Sequence, residues 1–306
     1  MDISIIIPTY NRFWSLPKAV ESCSDASIAV EIIVVDDGST DGTWEWLSQQ
    51  PNIVAIHQEN QGKDEAVNNA FKIAKGKYIR FLDSDDWILP DSSTQLFNEA
   101  EKNNLDIICA GYQLCDEQEK LIQEIPWTVC DDFLAQQLGE CDSSHYSAYL
   151  FKKEFISDIA HREEYGALDD RQFIIEAAMK WPKTGYITSP TLAHRMHSQA
   201  RLQNASSSEI YFNNSARLNI YKNCFGTLTQ NGTLTQRHQS AACDILWHLS
   251  HWVAKTNIAE GEAIYNWVYQ LNPSYTPITN LTIARMYKLL GFKLTEQLLR
   301  FRRLFK

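Results

Sequence analysis

The chain has 306 residues, of which 44% are hydrophobic and 22% charged, so it can bury a substantial core in one large domain or two. Its formal net charge of −10 argues against a general nucleic-acid-binding protein, because such proteins present a basic face. Its seven cysteines are scattered, odd in number and without a Cys-x-x-Cys pair, which argues against a disulfide framework or a zinc cluster and indicates a reducing compartment.

The amino-terminal residues lack the basic region and apolar core of a signal peptide. No apolar run approaches the roughly 20 residues needed to cross a bilayer. We therefore expect a cytoplasmic protein, at most peripheral on the inner face of the plasma membrane.

Short apolar runs alternate with helical patterns through the first part of the chain. Strands are predicted at 3–7, 31–35, 53–57, 78–82 and 105–110, and helices at 14–24, 43–49, 62–75 and 91–103. Such alternation is typical of a parallel, doubly wound sheet. The expected fold class is therefore α/β, with a Rossmann-like, mostly parallel sheet.

Two of these strands end in acidic clusters, Asp36-Asp37 and the Asp-Ser-Asp-Asp run at 83–86. If both strands are parallel in one sheet, both clusters face the same crevice, where ligands of open α/β sheets collect. Adjacent carboxylates repel unless a cation lies between them, and Mg²⁺ or Mn²⁺ prefers oxygen ligands. The alternative is a solvated acidic loop that caps the helix beginning near residue 91.

The sequence lacks the motifs of three other classes of protein that act on nucleotides or esters. No Gly-x-Gly-x-x-Gly follows the first strand, no Gly-x-x-x-x-Gly-Lys-Ser/Thr is present, and no Gly-x-Ser-x-Gly elbow is present. A dinucleotide-binding Rossmann fold, a P-loop kinase or ATPase, and an α/β-hydrolase are therefore disfavoured.

The pattern becomes irregular and acidic at 111–145, which predicts loops and short strands. A strand leading into a helix is predicted at 148–156, a helix at 168–180 and a strand at 186–192. Asp169 and Asp170 open the helix at 168–180, where carboxylates also suit the helix dipole without any catalytic role. His194 and His197 follow the last strand, and His194 is interpreted as structural. Three other histidines, His57, His145 and His161, lie in no recognisable motif.

The carboxyl-terminal part is predicted to be helical, at about 236–254, 262–271 and 278–290. Residues 285–306 hold seven Lys or Arg and one acid, a net charge of +6. Leu294, Leu298, Phe301 and Phe305 recur at helical spacing. This pattern fits an amphipathic anchor on an anionic membrane, or a terminal helix that docks on the protein body or on a second subunit of a homodimer.

Several segments, in this order and spacing, carry a family resemblance. They are the runs 5–12 (Ile-Ile-Ile-Pro-Thr-Tyr-Asn-Arg), 33–43 (Ile-Val-Val-Asp-Asp-Gly-Ser-Thr-Asp-Gly-Thr), 59–63 (Glu-Asn-Gln-Gly-Lys), 76–86, the Asp-Asp pair at 169–170, and His-Arg-Met-His-Ser at 194–198. The chain resembles the family 2 inverting glycosyltransferases of the GT-A fold, of the type found in bacterial polysaccharide assembly. The resemblance covers roughly residues 3 to 200.

The resemblance implies a donor-binding set at the first two strands. Pro8, Thr9 and Tyr10 would lie against the nucleobase, with Tyr10 stacked on it. Asp37, with Asp36 beside it as the less favoured choice, would accept a hydrogen bond from the uracil imide N–H.

The resemblance also implies the groups around the diphosphate. Asp83, followed by Ser84, would reach the ribose or the diphosphate. Lys63 and Arg195 are candidates for diphosphate contacts, although lysines and arginines are more often simply solvated.

The metal and the base are implied by the same motifs. Asp85 would bind a Mn²⁺ or Mg²⁺ ion that bridges the donor phosphates, and His197 would approach that ion. Asp170 would be the general base. Asp169 stands where the family usually has Glu, and Ala70 stands where many members have Gly.

The resemblance implies a GT-A catalytic domain at 1–205, with a nucleotide-sugar half at about 1–110 and an acceptor half at about 111–205, and a helical region at 206–306. The implied activity is metal-assisted, inverting transfer of a hexosyl or N-acetylhexosaminyl group from a nucleotide sugar, with a UDP-sugar expected, to a glycan or lipid-linked glycan hydroxyl. Two alternatives remain: a sugar-1-phosphate nucleotidyltransferase, whose Gly-rich loop is missing here, and an inactive carbohydrate-binding or scaffold protein on the same fold.

Overall fold

The computed structural model describes residues 1–197, 207–277 and 281–303. The chain forms two compact units, one from Met1–Val129 with Asp142–Arg201 and the other from Cys130–Cys141 with Leu202–Lys306. Ser198 of the last motif, the beginning of the helix expected at 278, and Phe305 lie outside the described residues.

Eleven strands are present in the described residues. In chain order they are β1 Ile3–Thr9, β2 Val30–Asp36, β3 Val54–His57, β4 Tyr78–Phe81, β5 Trp87–Ile88, β6 Ile107–Cys109, β7 Tyr112–Cys115, β8 Leu121–Ile125, β9 Leu150–Lys152, β10 Thr184–Tyr186 and β11 Leu192–Arg195. All of them belong to the first unit.

Ten α-helices are present in the same described ranges. They are α1 Leu16–Ser22, α2 Thr43–Leu47, α3 Lys63–Ile73, α4 Ser92–Asn103, α5 Phe133–Leu138, α6 Asp169–Met179, α7 Ser207–Gln230, α8 Gln236–Ala254, α9 Ile258–Leu271 and α10 Leu281–Arg303. Helices α5 and α7–α10 form the second unit. None of the described helices is both long and apolar enough to span a membrane.

The main sheet has seven strands in the order β10-β6-β9-β4-β1-β2-β3. Strand β9 runs antiparallel to β4 and β6, and the other neighbouring pairs are parallel. A second sheet has the order β5-β11-β7-β8. The predicted α/β class, with a mostly parallel sheet and a carboxyl-terminal helical region, is confirmed.

The centre of the main sheet is β1, which is buried along its whole length between β2 and β4. Its apolar, β-branched sequence suits a strand covered on both faces, and each fully buried isoleucine contributes about 1.5–3 kcal/mol. Thr9 lies opposite Asp36 in the β1–β2 pair, and Ile6 lies opposite Phe81 in the β1–β4 pair. The carboxyl ends of β2 and β4, with their acidic clusters, therefore reach the same edge of the sheet.

Two local predictions were wrong. The strand expected at 186–192 is two strands, β10 and β11, which lie in different sheets on either side of a bend at 188–189. Pro190 lacks the N–H that a continuous strand would use there. The helix expected after β9 is a run of turns, in which Ser157 Oγ donates to Glu154 O at 2.8 Å and competes with helical hydrogen bonding.

In the second unit, α8 begins with a capping box in which Thr235 and His238 exchange side-chain and backbone hydrogen bonds. Helix α10 is interrupted at Gly291, whose φ of 75° lies in the left-handed region that glycine tolerates. Beyond that break, Phe292, Thr295 and Glu296 are buried, whereas Leu294 and Leu298 are exposed. The second half of α10 therefore has one packed face and one bare apolar face.

Candidate functional site

The acidic pair after β2 organises the loop that leads into α3. Asp37 is buried and accepts hydrogen bonds from Gln58 Nε2 and Gln61 N, both at 2.8 Å, and from Gly62 N at 2.9 Å. Asp36 Oδ2 lies 2.8 Å from His57 Nδ1. These contacts fix the point at which α3 begins.

The segment expected to face the nucleobase lies at the end of β1. Pro8 and Thr9 are buried within the strand, and Tyr10, just beyond it, is 46% exposed. The neighbouring Asn11 has φ 52° and is held by Ser39 Oγ, which accepts from Asn11 N at 2.8 Å. Tyr10 is thus an accessible ring on a firmly anchored turn, beside the Asp36-Asp37 loop.

Lys63, the first residue of α3, joins two carboxylates from different elements. Its Nζ lies 2.8 Å from Asp83 Oδ1, after β4, and 3.3 Å from Asp170 Oδ2, in the first turn of α6. Three of the expected site residues are therefore brought together by one ion-pair cluster. The sequence motifs place them up to 107 positions apart.

The protonation of this cluster follows from enclosure and mutual charge. Burial raises the pKa of Asp170, and the charges of Asp83 and Asp169 add to that effect against the opposing charge of Lys63. Burial also acts to raise the pKa of Asp83, but Lys63 outweighs it and lowers that pKa to about 2. Burial acts to lower the pKa of Lys63, yet Asp170 and Asp83 raise it well above its usual value. The resulting arrangement is a permanent ammonium ion between a fixed carboxylate and a carboxyl group of heightened proton affinity.

Asp85 and His197 form the second part of the site. Asp85 Oδ2 lies 2.9 Å from His197 Nε2 and 3.9 Å from Arg12 Nε. The His197 side chain is buried, and its ring meets the edge of Trp14 with centroids 4.9 Å apart. Ser84 is buried, and its carbonyl accepts from Ser15 Oγ at 2.9 Å, which ties the acidic run to the beginning of α1.

The Asp85–His197 pair suits a divalent ion. Two ligands of one octahedral ion with bonds of about 2.1 Å stand about 3 Å apart, which matches the separation of the two atoms. A carboxylate oxygen and an imidazole nitrogen are also ligand types that Mn²⁺ accepts. The residues present therefore fit the expected metal.

Arg195 is held by protein groups. Its guanidinium lies over Trp87 at 4.9 Å and over Trp14 at 5.7 Å, and the residue is 6% exposed. Its Nε donates to Asp85 O at 3.2 Å, and Nη2 lies 3.3 Å from Glu119 Oε1. In this structure Arg195 supports the backbone of the acidic run, and donor contact through its side chain stays a prediction.

Asp86, which received no separate role from the motifs, anchors β11 to the acidic run. It accepts from Arg195 N at 2.9 Å and lies 3.0 Å from His194 Nδ1. Nε2 of His145 faces the same carboxylate at 3.8 Å. Because His145 Nδ1 accepts from Ser147 N at 3.3 Å, the proton of a neutral ring lies on Nε2. This trio therefore fits a hydrogen-bonded anchor better than a metal site.

A second group missed by the sequence analysis lies behind Asp170. Asp169 is buried and takes hydrogen bonds from His161 Nδ1 and Arg162 N, and a carboxyl oxygen of Asp64 lies within 4.8 Å of its carboxylate. His161 Nε2 in turn lies 2.8 Å from the Tyr146 hydroxyl. The sequence shows that Asp64 follows the candidate residue Lys63 in the first turn of a helix. Its proximity to Asp169, however, arises only from tertiary packing, which the sequence does not reveal.

Comparison with known proteins places these residues in context. Residues 4–153 match the family described as glycosyl transferase family 2. Glycosyltransferase GlyG of Streptococcus pneumoniae serotype 4 is 33% identical over 123 residues, which cover 38% of this chain and 41% of GlyG. The putative glycosyltransferase EpsH of Bacillus subtilis is 26% identical over 225 residues, which cover 66% of this chain and 62% of EpsH. The matches thus span less than two thirds of either relative.

Among solved structures, S. aureus TarS 1–349 in complex with UDP-GlcNAc superposes with a TM-score of 0.58 at 15% identity, over 98% of this chain and 92% of that one. A likeness at this identity concerns the fold. Together with the family match, it confirms the expected GT-A fold.

Proposed function

Residues 4–153 belong to glycosyl transferase family 2, and from that premise we propose that this chain transfers a glycosyl group from a nucleotide sugar to an acceptor hydroxyl group. The observation that carries the proposal is the convergence of two clusters after β4. One is the Asp85–His197 pair, and the other is Lys63 between Asp83 and Asp170. The first suits a diphosphate-bound metal, and the second suits proton removal from an acceptor.

The proposed donor is a UDP-sugar that carries a hexosyl or N-acetylhexosaminyl group. TarS, which shares the fold, was solved with UDP-GlcNAc. In this chain Tyr10 offers an exposed ring for stacking on a base. Asp37 Oδ2 takes one hydrogen bond, from Gly62 N, so a lone pair remains for the uracil imide N–H, with Asp36 as the alternative. Pro8 and Thr9 would contact the same base from the end of β1.

Asp85 and His197 would hold Mn²⁺ or Mg²⁺. When bound, such an ion neutralises charge that develops on the leaving nucleoside diphosphate. Asp83 and Ser84 lie in the same run and are assigned to the ribose and diphosphate side. Lys63 supplies a fixed positive charge beside them, and Arg195 keeps the run in place through Asp85 O.

The proposed chemistry is a single, inverting displacement. The Asp170 carboxylate takes the proton of the acceptor hydroxyl as its oxygen attacks the anomeric carbon, on the face opposite the nucleoside diphosphate. The new carbon–oxygen bond forms while the bond from the anomeric carbon to the phosphate oxygen breaks, and its electron pair leaves with the nucleoside diphosphate. The raised pKa of Asp170, caused first by burial, makes it a better proton acceptor than an exposed aspartate.

The proposed acceptor is a glycan or a lipid-linked glycan, with α10 in contact with an anionic membrane surface. The outward stripe of α10, which we define as Leu294, Leu298 and Phe301, is between 51% and 62% exposed. It lies opposite the packed face formed by Phe292, Thr295 and Glu296.

The charges on α10 favour an anionic membrane over a second copy of the chain as the partner that covers this stripe. Lys288, Lys293 and Arg300, all exposed, lie on the same helix and complement anionic headgroups. A two-fold contact between two outward stripes would bring these like charges together, which disfavours a homodimer through this face.

The test is release of nucleoside diphosphate from a panel of nucleotide sugars, with and without Mn²⁺, by wild type, Asp85→Asn and Asp170→Asn. Asp158→Asn is the matched control, because that aspartate is 69% exposed and outside both clusters. Metal-dependent release in wild type and the control, lost in both site variants, supports the proposal. Release of pyrophosphate from a nucleoside triphosphate and a sugar phosphate would instead indicate a nucleotidyltransferase. A folded protein that binds glycans but turns over none of the donors would be a scaffold.

A further inference from the structure

Asp64 and Asp169 bring two carboxyl groups to within 4.8 Å of each other, next to Asp170 in the chain. Asp64 lies in the first turn of α3, and Asp169 opens α6. Two carboxylates at this separation repel each other, which favours a proton on one of them. Since Asp169 accepts from His161 Nδ1 and from Arg162 N at 2.8 Å, the negative charge is favoured on Asp169 and the proton on Asp64.

The partners of Asp169 are rigidly held. The backbone of His161 is clamped by Asn68, whose Oδ1 accepts from His161 N at 3.0 Å and whose Nδ2 donates to His161 O at 2.9 Å. The His161 ring stacks on Phe173 with centroids 4.6 Å apart and contacts the Tyr146 hydroxyl through Nε2. Little freedom is left for Asp169 except at its contact with Asp64.

We propose that Asp64 is a positioning residue of the transfer site, which in its protonated form donates to Asp169 and fixes the first turn of α6 in the orientation that presents Asp170 to the acceptor. This inference rests on the proposed function, in which Asp170 is the general base. Asp64 itself acts through Asp169 and does not touch the reacting atoms.

Ionisation of Asp64 would undo this arrangement. Burial and the neighbouring Asp169 raise the pKa of Asp64 to about 8. The charged or titratable groups that face it are Lys63 on its own helix, Asp169 and Asp170 on α6, His161 before α6 and Tyr146 before β9. Asp83 after β4 lies on the other side of Lys63, with which it is paired. Loss of the proton removes the hydrogen bond and adds a negative charge beside Asp169 and Asp170. The wild-type transfer rate is therefore expected to fall above a pH of about 8.

The kinetic test compares the dependence of kcat/KM on pH in wild type, Asp64→Asn, Asp64→Leu and Glu65→Gln. Asparagine keeps an N–H donor towards Asp169 but cannot ionise, so Asp64→Asn should stay within about threefold of wild type at pH 7 and lose the fall above pH 8. Asp64→Leu removes the donor and should lower kcat about tenfold or more with little change in the KM for the donor. Glu65, on the same helical turn and partly exposed, should give the wild-type profile when changed to Gln.

A measurement that needs no turnover tests the protonation of Asp64 separately from the proposed function. The carboxyl carbon of Asp64, assigned from the difference between ¹³C NMR spectra of wild type and Asp64→Asn, should titrate well above the usual range of aspartate. Titration of Asp64 below a pH of about 5 would overturn the inference whatever the enzyme does. An Asp64→Asn profile with the wild-type fall above pH 8 would overturn it too. Absence of transfer with every donor would count against the proposed function, while the NMR titration would still report the state of Asp64.

Discussion

The carboxylate of Asp85 and the imidazole of His197 lie 2.9 Å apart, although 112 positions separate them in the chain. Strand pairing accounts for this proximity. Asp85 precedes β5, His197 follows β11, and these two strands are antiparallel, with Ala193 opposite Trp87. The second sheet therefore holds together the two groups assigned to the metal.

Replacement of His197 by Ala should weaken Mn²⁺ binding by about 10–100-fold, because it removes one of two protein ligands while Asp85 remains. Titration of Mn²⁺ by isothermal calorimetry in the presence of UDP measures the effect. His248→Ala, at a half-exposed histidine on α8, is the control and should bind as wild type. Equal affinity of all three proteins would remove His197 from the metal site.

Replacement of Lys63 by Met should move the acid limb of the pH–rate profile to higher pH. Lys63 opposes the effects of burial and of Asp83 on Asp170, so its loss raises the pKa of Asp170 further and protonates the base at a higher pH. Lys63→Arg keeps the charge and should retain a limb close to that of wild type. If the acid limb of Lys63→Met lies at the same pH as that of wild type or at a lower pH, the assignment of Asp170 as the general base is contradicted.

The free energy of unfolding should decrease as the pH rises, because the folded protein binds a proton at Asp64 more tightly than the unfolded chain does. The pKa of Asp64 is raised from 3.8 to about 8 in the folded protein, so between these values the folded state holds a proton that the unfolded chain has released. The free energy of unfolding contributed by this group therefore decreases as pH rises from about 4 to about 8. Urea unfolding at pH 5 and pH 8 should show a larger decrease for wild type than for Asp64→Asn. Parallel decreases in both proteins would mean that Asp64 does not titrate in this window.

Arg80→Met should lower the free energy of unfolding by about 2–4 kcal/mol. Arg80 is fully buried and donates to Thr191 O at 2.7 Å, Ser147 O at 3.2 Å and Ser93 Oγ at 3.1 Å. Methionine fills much of the space but leaves those buried oxygens without this donor. Arg300→Met, at an exposed position with a single 3.4 Å contact to Thr256 O, should change stability by less than about 0.5 kcal/mol. Urea unfolding of wild type and the two variants measures these changes. Equal decreases in the free energy of unfolding for both variants would show that the buried contacts of Arg80 do not stabilise the fold.

Vesicle binding should depend on the outward stripe of α10. The double variant Leu294→Ser, Leu298→Ser should reduce partitioning onto vesicles with one quarter phosphatidylglycerol at least about tenfold, since each leucine that enters a membrane contributes about 1.5 kcal/mol or more. Leu121→Ser with Ile122→Ser alters two equally exposed apolar residues on β8 and should have no effect. Raising the salt concentration should weaken wild-type binding. Sedimentation as a dimer without vesicle binding would assign the stripe to a second copy.

The strands β1 to β4 could be predicted from the sequence because the signals that mark them are local. Each strand from β1 to β4 is an apolar run bounded by turn residues, and the acidic clusters that follow β2 and β4 lie where parallel strands must end together. The helix at 236–254 was placed at the bounds observed for α8.

The sequence could not predict contacts that depend on which elements meet. His161 carries no motif, and its hydrogen bonds join it to Asn68, 93 positions away, and to Asp169. Strands β10 and β11 were predicted as one strand at 186–192, because periodicity does not reveal that a chain leaves one sheet and enters another. The function of Arg195 as a support stacked on two tryptophans is likewise a product of tertiary packing.

The antiparallel pairing of β6 and β9 places Ile108 opposite Leu150. The whole excursion of the chain between these residues therefore departs from the sheet and returns to it at adjacent strands. Its length can change by insertion or deletion without shifting the register of β1, β2 or β4. Because β7 lies within this excursion and pairs with β11, just before His197, we expect insertions to be tolerated in the loop that follows β8 rather than in β7 itself.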